Sequence, residues 1–379
     1  MKILHTSDWH LGAMDCDRSL SEDQQFFIDK ICGIAKENDI DAVIIAGDVY
    51  DRSVASAEAV KLYDGAMTRL CLEMGKQVII IAGNHDSAER LSSCSELLSK
   101  AGLHICGALS EDTAVVSFPD TEIYLLPWIT EEKVKSVFPQ EKDSINSLED
   151  AYMVVTSKLR AKFDPDKKHI AVSHSFITDS ETSTSDRAAM IGFTTQVSAK
   201  VFEGFDYVAL GHIHKPQSIT ENIRYSGTPM PYSFGKEETQ EKSVTIIDTA
   251  DMSKKIIPLP LLHTRKTFTG TYDELLDPSC SDEEKNGYVR LEVTDTYVGL
   301  EALSELRKVY PNLLEVMGKT FEGEDTSITL TVEELEKLEE NPLEVFRSYC
   351  REETKEEPGE HFEKLFRRAV EESEKEAEQ

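Results

Sequence analysis

The sequence contains no apolar run that approaches the roughly 20 residues of a membrane-spanning helix. It also has no signal-peptide pattern, because Met1 and Lys2 lead directly into a predicted strand. Its 7 cysteines are scattered without a C-x-x-C pair, and an odd, unpatterned set of this kind favours reduced thiols. These absences predict a globular, cytoplasmic protein that does not bind a membrane.

Positive charge is also scarce. The 379 residues include 41 Lys and Arg against 71 Asp and Glu, so the net charge is -30. A protein that binds nucleic acid with its whole surface is normally basic. If this chain acts on a polyanion, a divalent metal or a partner must supply positive charge locally. The alternative is that the acidic surface only keeps the protein soluble.

Strand and helix patterns alternate along the first half of the chain. Apolar runs predict strands and amphipathic patterns predict helices, in the order strand 2–7, helix 21–38, strand 42–46, helix 56–74, strand 77–82 and helix 88–101. Wholly apolar strands such as 42–46 are typical of parallel sheets that are covered on both faces. The order predicts an α/β fold with parallel strands.

The later part of the chain is richer in strand patterns and predicts a core of two stacked sheets flanked by helices. Further strands are predicted at 114–118, 122–126, 169–173, 207–210, 223–226, 243–248 and 255–259, and a helix at 148–162. We expect three regions: a first domain at 1–265, a small α+β domain at 266–330 and a charged helical segment at 331–379.

Five short motifs carry the residues suited to chemistry. They are Asp8-Trp9-His10, Gly47-Asp48-Val49-Tyr50-Asp51-Arg52, Gly83-Asn84-His85-Asp86, Ser173-His174-Ser175 and Gly211-His212-Ile213-His214. Each follows a predicted strand, and in open α/β sheets functional sites gather at the carboxyl ends of strands. Carboxylate, amide and imidazole ligands together suit Mn²⁺, with Mg²⁺, Fe²⁺ or Zn²⁺ also compatible. The motifs therefore predict a site for two divalent metals.

A single motif of this kind is weak, since a polar turn or a hydrogen-bonded core histidine explains it equally well. Five in order, each after an apolar strand, make that explanation improbable. The remaining histidines have no motif, and we expect structural or solvated roles for them. They are His5, His104, His169, His263 and His361.

The motif set resembles that of the calcineurin-like metallophosphoesterases. Longer stretches resemble one branch, the SbcD nuclease subunits of bacteria. These stretches are 3–12, 80–87, 205–214 and 224–229. The resemblance implies a calcineurin-like β-sandwich flanked by helices, followed by a small capping domain for DNA and by C-terminal helices. One departure is Thr228, which stands where a Ser is more usual.

The resemblance also implies individual roles. Asp8, His10 and His214 would hold one metal, and Asn84, His174 and His212 the other, with Asp48 as the bridge. His85 would face the scissile phosphate as a proton donor or as a stabiliser of the transition state. Asp51 would orient His85, although capping of a helix explains this residue equally well.

Apolar positions in the charged tail form two sets, which either fold back on their own domain or dock on a partner helix. The sets are Leu335, Leu338, Val345, Phe346 and Tyr349, and Phe362, Leu365, Phe366, Ala369 and Val370. In the SbcD family such helices dock on SbcC, an SMC-like ATPase. The resemblance further implies a homodimer, formed through first-domain helices at 55–74 or 88–101. This homodimer would assemble with the partner into a heterotetramer.

The leading hypothesis is an Mn²⁺-dependent DNA nuclease subunit with 3′→5′ exonuclease and single-strand or hairpin endonuclease activity. Its role would lie in DNA end processing, recombination and repair. A phosphomonoesterase or protein phosphatase could use the same two-metal site. A non-catalytic scaffold between an ATPase and DNA is a third possibility, but it would predict incomplete metal motifs.

Overall fold

The structure is a computed structural model of the whole chain. It describes residues 1–16, 18–112, 114–178, 180–183, 185–186, 196–296, 298, 300–318, 328–331, 343, 346–347, 350 and 358–377. The chain forms two compact units, Met1–Leu262 and His263–Gln379. The tail positions 335, 338, 345 and 349 lie outside the described residues, so the first apolar set of the tail stays a prediction.

The first unit consists of two six-stranded sheets, a small hairpin and flanking helices. Its strands are β1 (Lys2–Thr6), β2 (Met14–Asp15), β3 (Arg18–Ser19), β4 (Ala42–Ala46), β5 (Gln77–Ile81), β6 (Leu103–Cys106), β7 (Val115–Ser117), β8 (Thr121–Leu126), β9 (Lys168–His174), β10 (Tyr207–Gly211), β11 (Gln217–Ser218), β12 (Ile223–Tyr225), β13 (Ser243–Asp248) and β14 (Ser253–Pro258). Its α-helices are α1 (Ser21–Glu37), α2 (Ala57–Met67), α3 (Ala88–Leu91), α4 (Ser95–Leu98), α5 (Glu131–Val137) and α6 (Leu148–Arg160). A π-helical segment, Thr68–Glu73, extends α2, and short 3₁₀ segments lie at Ser99–Ala101, Pro139–Ser144, Ala199–Phe202 and Lys236–Thr239.

The first sheet has the order β14-β13-β1-β4-β5-β6 and the second β11-β12-β10-β9-β8-β7. In each, the central strands are parallel, as the wholly apolar runs predict. Side chains from both sheets share one buried cluster, which includes Ile44 and Ile79 from the first and Val172 and Ala209 from the second. The predicted β-sandwich is therefore confirmed, and a second cluster buries α5 and α6 against the outer face of the second sheet.

Local capping explains where two of the helices begin. The Ser56 hydroxyl accepts the N–H of Ala59 at 3.2 Å at the start of α2, and the Ser147 hydroxyl accepts the N–H of Asp150 at the start of α6. Each satisfies an amide that the first helical turn leaves free. Asp51 caps neither helix, so the capping explanation for this residue is wrong for α2.

The single helix predicted at 88–101 is wrong. The segment breaks into α3, α4 and a 3₁₀ turn, and Cys94 adopts a left-handed φ of 59°. The hydroxyl of Ser92 donates to the main-chain oxygen of Ala88 at 2.7 Å. Such local side-chain bonds compete with helix continuation, and a residue in the left-handed region ends a helix.

The second unit contains a four-stranded sheet of order β15-β16-β17-β18. Its elements are β15 (Arg265–Gly270), α7 (Tyr272–Leu276), α8 (Asp282–Asn286), β16 (Tyr288–Val293), α9 (Leu300–Val309), β17 (Leu313–Gly318), β18 (Ile328–Thr331) and α10 (Glu360–Ala377). The predicted division at 265/266 falls inside β15, which belongs wholly to this unit.

Among the described residues, no helix is both long enough and apolar enough to span a membrane.

Candidate metal centre

All nine predicted site residues lie at the carboxyl ends of strands from both sheets. Asp8 and His10 follow β1, Asp48 and Asp51 follow β4, Asn84 and His85 follow β5, His174 ends β9, and His212 and His214 follow β10. Because the two sheets stack face to face, these five strand ends open on the same rim. Residues more than 200 positions apart in sequence thereby become neighbours.

The backbone of the site is strained. Four predicted ligands have left-handed φ angles: 52° at Asp8, 43° at His10, 47° at Asp48 and 95° at His212. Each such conformation costs a non-glycine residue on the order of 1–3 kcal/mol, and it persists where the surroundings over-determine it. Strain concentrated at four predicted ligands indicates a functional site rather than ordinary turns.

Two motif glycines allow the loops to approach each other. A Cβ at Gly83 would overlap the carboxylate of Asp48, and a Cβ at Gly211 would overlap the main-chain oxygen of Ala46. Only glycine fits at either position. The glycines therefore let the side chain of Asp48 and the end of β4 lie against the two neighbouring loops.

One donor set comprises Asn84, His174 and His212. The Oδ1 atom of Asn84 lies 3.0 Å from His174 Nε2 and 3.0 Å from His212 Nδ1. His174 Nδ1 donates to the main-chain oxygen of Ala46 at 2.9 Å, so Nε2 of the neutral ring carries a lone pair. Either a proton or a cation must lie between that lone pair and the oxygen of Asn84. The arrangement fits a metal ion.

The other donor set comprises Asp8, His10 and His214. His10 Nε2 and His214 Nε2 are 3.2 Å apart, and one carboxylate oxygen of Asp8 lies within 4.8 Å of a ring nitrogen of each. Two buried ring nitrogens, His10 Nδ1 and His212 Nε2, have no hydrogen-bond partner among the described residues. Buried polar groups are normally paired, so neither ring is fully hydrogen-bonded as a structural core histidine would be, and the other nitrogen of each ring faces the neighbouring ligands.

Asp48 lies between the two sets. Its Oδ2 atom is 3.2 Å from His174 Nε2 and 3.9 Å from His10 Nε2, one from each set. Its Oδ1 atom accepts the main-chain N–H of His85 at 2.9 Å. A carboxylate in this position can contact a cation on either side.

His85 stands beside the donor sets rather than within them. Its Nδ1 donates to the main-chain oxygen of Asp51 at 2.8 Å, which leaves Nε2 for proton exchange. The contact therefore uses the main chain of Asp51, whereas its carboxylate lies 3.7 Å from His10 Nδ1. The side chain of Asp51 faces His10, and any orienting of His85 comes from the carbonyl group.

Comparison with known proteins identifies the family of this chain. Residues 1–216 match the family model of the calcineurin-like phosphoesterases. The chain is 32% identical over 346 residues to the D component of the nuclease SbcCD from Staphylococcus saprophyticus. That alignment covers 90% of this chain and 91% of the relative. The chain belongs to the SbcD family of calcineurin-like phosphoesterases.

Residues 260–354 of this SbcD-family chain match a second family model, described as the type 5 capsule protein repressor C-terminal domain. Among solved structures, a protein of Thermus thermophilus has a TM-score of 0.39 and 13% identity, and the match covers 68% of this chain and 99% of that protein. A dimetal phosphatase of Danio rerio has a TM-score of 0.39 and 13% identity, with 65% and 91% covered. Membership of the family makes this protein a phosphoester hydrolase that uses divalent metal.

Burial and mutual charge set the protonation of this SbcD-family site. Burial would lower the pKa of His174, but Asp48 beside it raises that pKa to about 9. Burial would likewise raise the pKa of Asp48, and the charge of His174 more than reverses this, so its carboxyl stays ionised. His214 has a pKa raised to about 9, where Glu237 outweighs burial, whereas burial lowers the pKa of His212 to about 3.

Two of these shifts matter for metal uptake. In the metal-free protein, His174 and His214 carry protons at neutral pH, one in each donor set. A metal ligand must be deprotonated, so metal uptake releases these protons.

The sequence reasoning assigned no role to two further residues at this rim. The Asp86 carboxylate accepts the main-chain N–H groups of Val49, Tyr50 and Gly83 at 2.9–3.1 Å, so it ties the loop after β4 to the loop after β5. Trp128 packs its ring 5.2 Å from that of His212. Asp86 is part of a motif that follows β5, and Trp128 follows β8. Their positions directly after strands could have predicted that both lie near the site.

Proposed function

We propose that this chain is the metal-dependent DNA nuclease subunit of a complex with an SMC-like ATPase. The proposed activities are 3′→5′ exonuclease on duplex DNA and endonuclease on single strands and hairpins, in cytoplasmic DNA end processing, recombination and repair. The observation that carries the proposal is the pair of donor sets on either side of Asp48, with His85 beside them.

In this proposal Asp8, His10 and His214 hold one divalent ion, and Asn84, His174 and His212 hold the other, with Asp48 between them. Two such ions, with Mn²⁺ favoured and Mg²⁺ compatible, would supply charge neutralisation for a phosphodiester and an acidified water nucleophile. His85, held through Nδ1 by the carbonyl of Asp51, presents Nε2 to donate a proton to the leaving oxygen.

The C-terminal helix supports the partner part of the proposal. Phe362 and Leu365 on α10 are 62% and 51% exposed, and with Ala369 they recur at helical spacing on one face. Phe366 instead stacks on Phe346 at 4.4 Å between ring centroids, so part of the tail packs on itself. An exposed apolar stripe on a charged helix suits docking on a partner helix.

Exposed apolar residues in helical segments of the first unit support the homodimer. Val60 on α2 is 48% exposed, and Leu72 in the π-helical segment is 68% exposed. Leu97, in α4, is 72% exposed. These lie in the two segments, 55–74 and 88–101, that are the alternative dimerisation elements, and two such copies with two ATPase subunits would form the proposed heterotetramer.

The proposal is tested with purified protein, Mn²⁺ and a labelled DNA hairpin, in parallel with a phosphomonoester and a bis-aryl phosphodiester. We expect cleavage of the hairpin and of the diester, and roughly 10²- to 10⁴-fold lower activity for His85→Ala because the proton donor is lost. Faster turnover of the monoester than of either diester would favour a phosphatase.

The matched control is His104→Ala, since His104 is a half-buried histidine in β6 that contacts Gln77 rather than the site. Its activity should match that of the unaltered protein. Full activity of His85→Ala would contradict the assigned mechanism, and no hydrolysis of any of the three substrates with Mn²⁺ would contradict the proposed function.

A further inference from the structure

A buried carboxylate with four donors lies behind the metal centre. Glu237 is 1% exposed. Its Oε1 atom accepts the hydroxyls of Ser185 and of Ser233, the latter at 2.8 Å, and its Oε2 atom accepts the main-chain N–H of Tyr232 at 2.9 Å and the ammonium of Lys242 at 3.4 Å. A carboxylate that accepts four hydrogen bonds has no place for a proton of its own. Glu237 is therefore ionised.

Ser185 connects this carboxylate to the metal centre. Its hydroxyl oxygen lies 2.6 Å from His214 Nδ1. A hydroxyl has a single proton, and the ionised Glu237 can only accept, so Ser185 gives that proton to Glu237. The serine oxygen must then accept from His214, and His214 holds its proton on Nδ1. Consequently Nε2 is the nitrogen of His214 that loses its proton when a metal binds, and its lone pair then faces His10.

Lys242 fixes the main chain of the same histidine. Its ammonium group is fully buried and donates to the main-chain oxygen of His214 at 3.2 Å and to the hydroxyl of Thr228 at 2.8 Å. The carboxylate of Asp186 accepts the main-chain N–H of His214 at 2.9 Å. Both the ring and the main chain of His214 are thus fixed by buried charged groups.

The Asn84–His174–His212 set is held by other contacts: the carboxylate of Asp8 accepts the main-chain N–H of His212 at 2.9 Å, and Asp86 ties the loop of Asn84 to the loop after β4. His174 is oriented by the main-chain oxygen of Ala46, the last residue of β4, and no charged side chain contacts its Nδ1 within hydrogen-bond distance among the described residues. A change at Glu237 should therefore reach one donor set and not the other.

We propose that Glu237, acting through Ser185, and Lys242, acting on the main-chain oxygen of His214, are positioning residues for His214, and that they set the metal affinity of the Asp8–His10–His214 set alone. The inference rests on the proposed two-metal function. It assigns a role in metal binding to a 3₁₀ segment (Lys236–Thr239) that carries no ligand.

The test is a titration of the full-length metal-free protein with Mn²⁺, followed by calorimetry, elemental analysis and electron paramagnetic resonance. In Glu237→Gln we expect one of two sites to weaken roughly 10- to 100-fold, the usual effect of removing a group that orients a ligand. The other site should keep its affinity, and the spin-coupled signal of two ions should give way to that of one. Glu241→Gln is the matched control, since Glu241 is exposed.

Glu237→Gln leaves the buried Lys242 without its ionised partner and could unfold the protein. Ser185→Ala and Ser185→Thr keep the test decisive in that case. Ser185→Ala should weaken the same single site, and Ser185→Thr, which retains the hydroxyl, should restore it. Equal weakening of both sites, or two unchanged sites in Glu237→Gln and Ser185→Ala, would overturn the inference. If the unaltered protein itself binds fewer than two Mn²⁺ ions, the proposed function fails instead.

Discussion

The two donor sets of the site contain similar ligands but are supported differently. His174 ends β9 and is oriented by the main-chain oxygen of Ala46, which closes β4, so sheet geometry alone positions it. His10 and His214 lie in loops beyond their strands, and buried side chains hold those loops. His174, on a strand, is thus positioned by the sheet, whereas His214, three residues beyond a strand, depends on side chains that are far away in sequence.

The largest effect is expected where the two sets meet. Asp48→Asn removes the charge between them, so both ions should be lost and hydrolysis should fall by at least about 10³-fold. Elemental analysis and the hairpin assay measure this. If the variant retains two ions at unchanged affinity, Asp48 does not link the sets.

Asn84→Ala should weaken metal binding by the Asn84–His174–His212 set, whereas Glu237→Gln should weaken binding by the other set. Removing Oδ1 takes away the atom that lies 3.0 Å from both His174 and His212. We expect one ion per chain to remain, on the His10 side, and activity to fall by roughly 10²-fold or more. A Mn²⁺ titration that shows both sites weakened to the same extent would mean that the sets are not independent.

The two sets should respond alike to pH. The pKa values of His174 and His214 are each raised to about 9, so each set must release one proton to bind an ion. As the pH is raised toward that pKa, the affinity of each site for the metal should increase by up to about tenfold per pH unit. Above the pKa the affinity should level off. Calorimetric titrations at three pH values test this, and affinity that falls as pH rises would contradict it.

The smallest effect is expected at Gln24, which supports the loop of His10. Its amide donates to the main-chain oxygen of His10 at 2.7 Å and accepts the N–H of Gly12 at 2.9 Å. Gln24→Ala should cost about 1–3 kcal/mol of stability and weaken the His10 side a few-fold. Thermal unfolding and Mn²⁺ titration measure both effects, with the exposed Gln25→Ala as the control. An equal loss of Mn²⁺ affinity at the set that contains Asn84 would contradict the proposed difference between the two sets.

Much of the fold was predictable because apolar runs and strand-end motifs are local signals. The central strands β1, β4, β5, β9 and β10 agree with the predicted positions within about a residue. Less regular elements were missed. Arg265–Gly270 has few apolar residues because it is the edge strand of its sheet, and Leu103–Cys106 is a short strand at the edge of the first sheet.

The sequence by itself determined which residues are candidates for the chemistry, since ligand types and glycines recur at strand ends and that pattern is readable without coordinates. Family resemblance extended the pattern to individual roles, which remain proposals. Only the tertiary structure decided how those residues are held. Glu237 and Lys242 belong to no motif, and Ser185 lies 29 positions from the histidine it contacts. Their contacts arise because folding buries charged groups, and a buried charge must find a partner wherever the chain brings one.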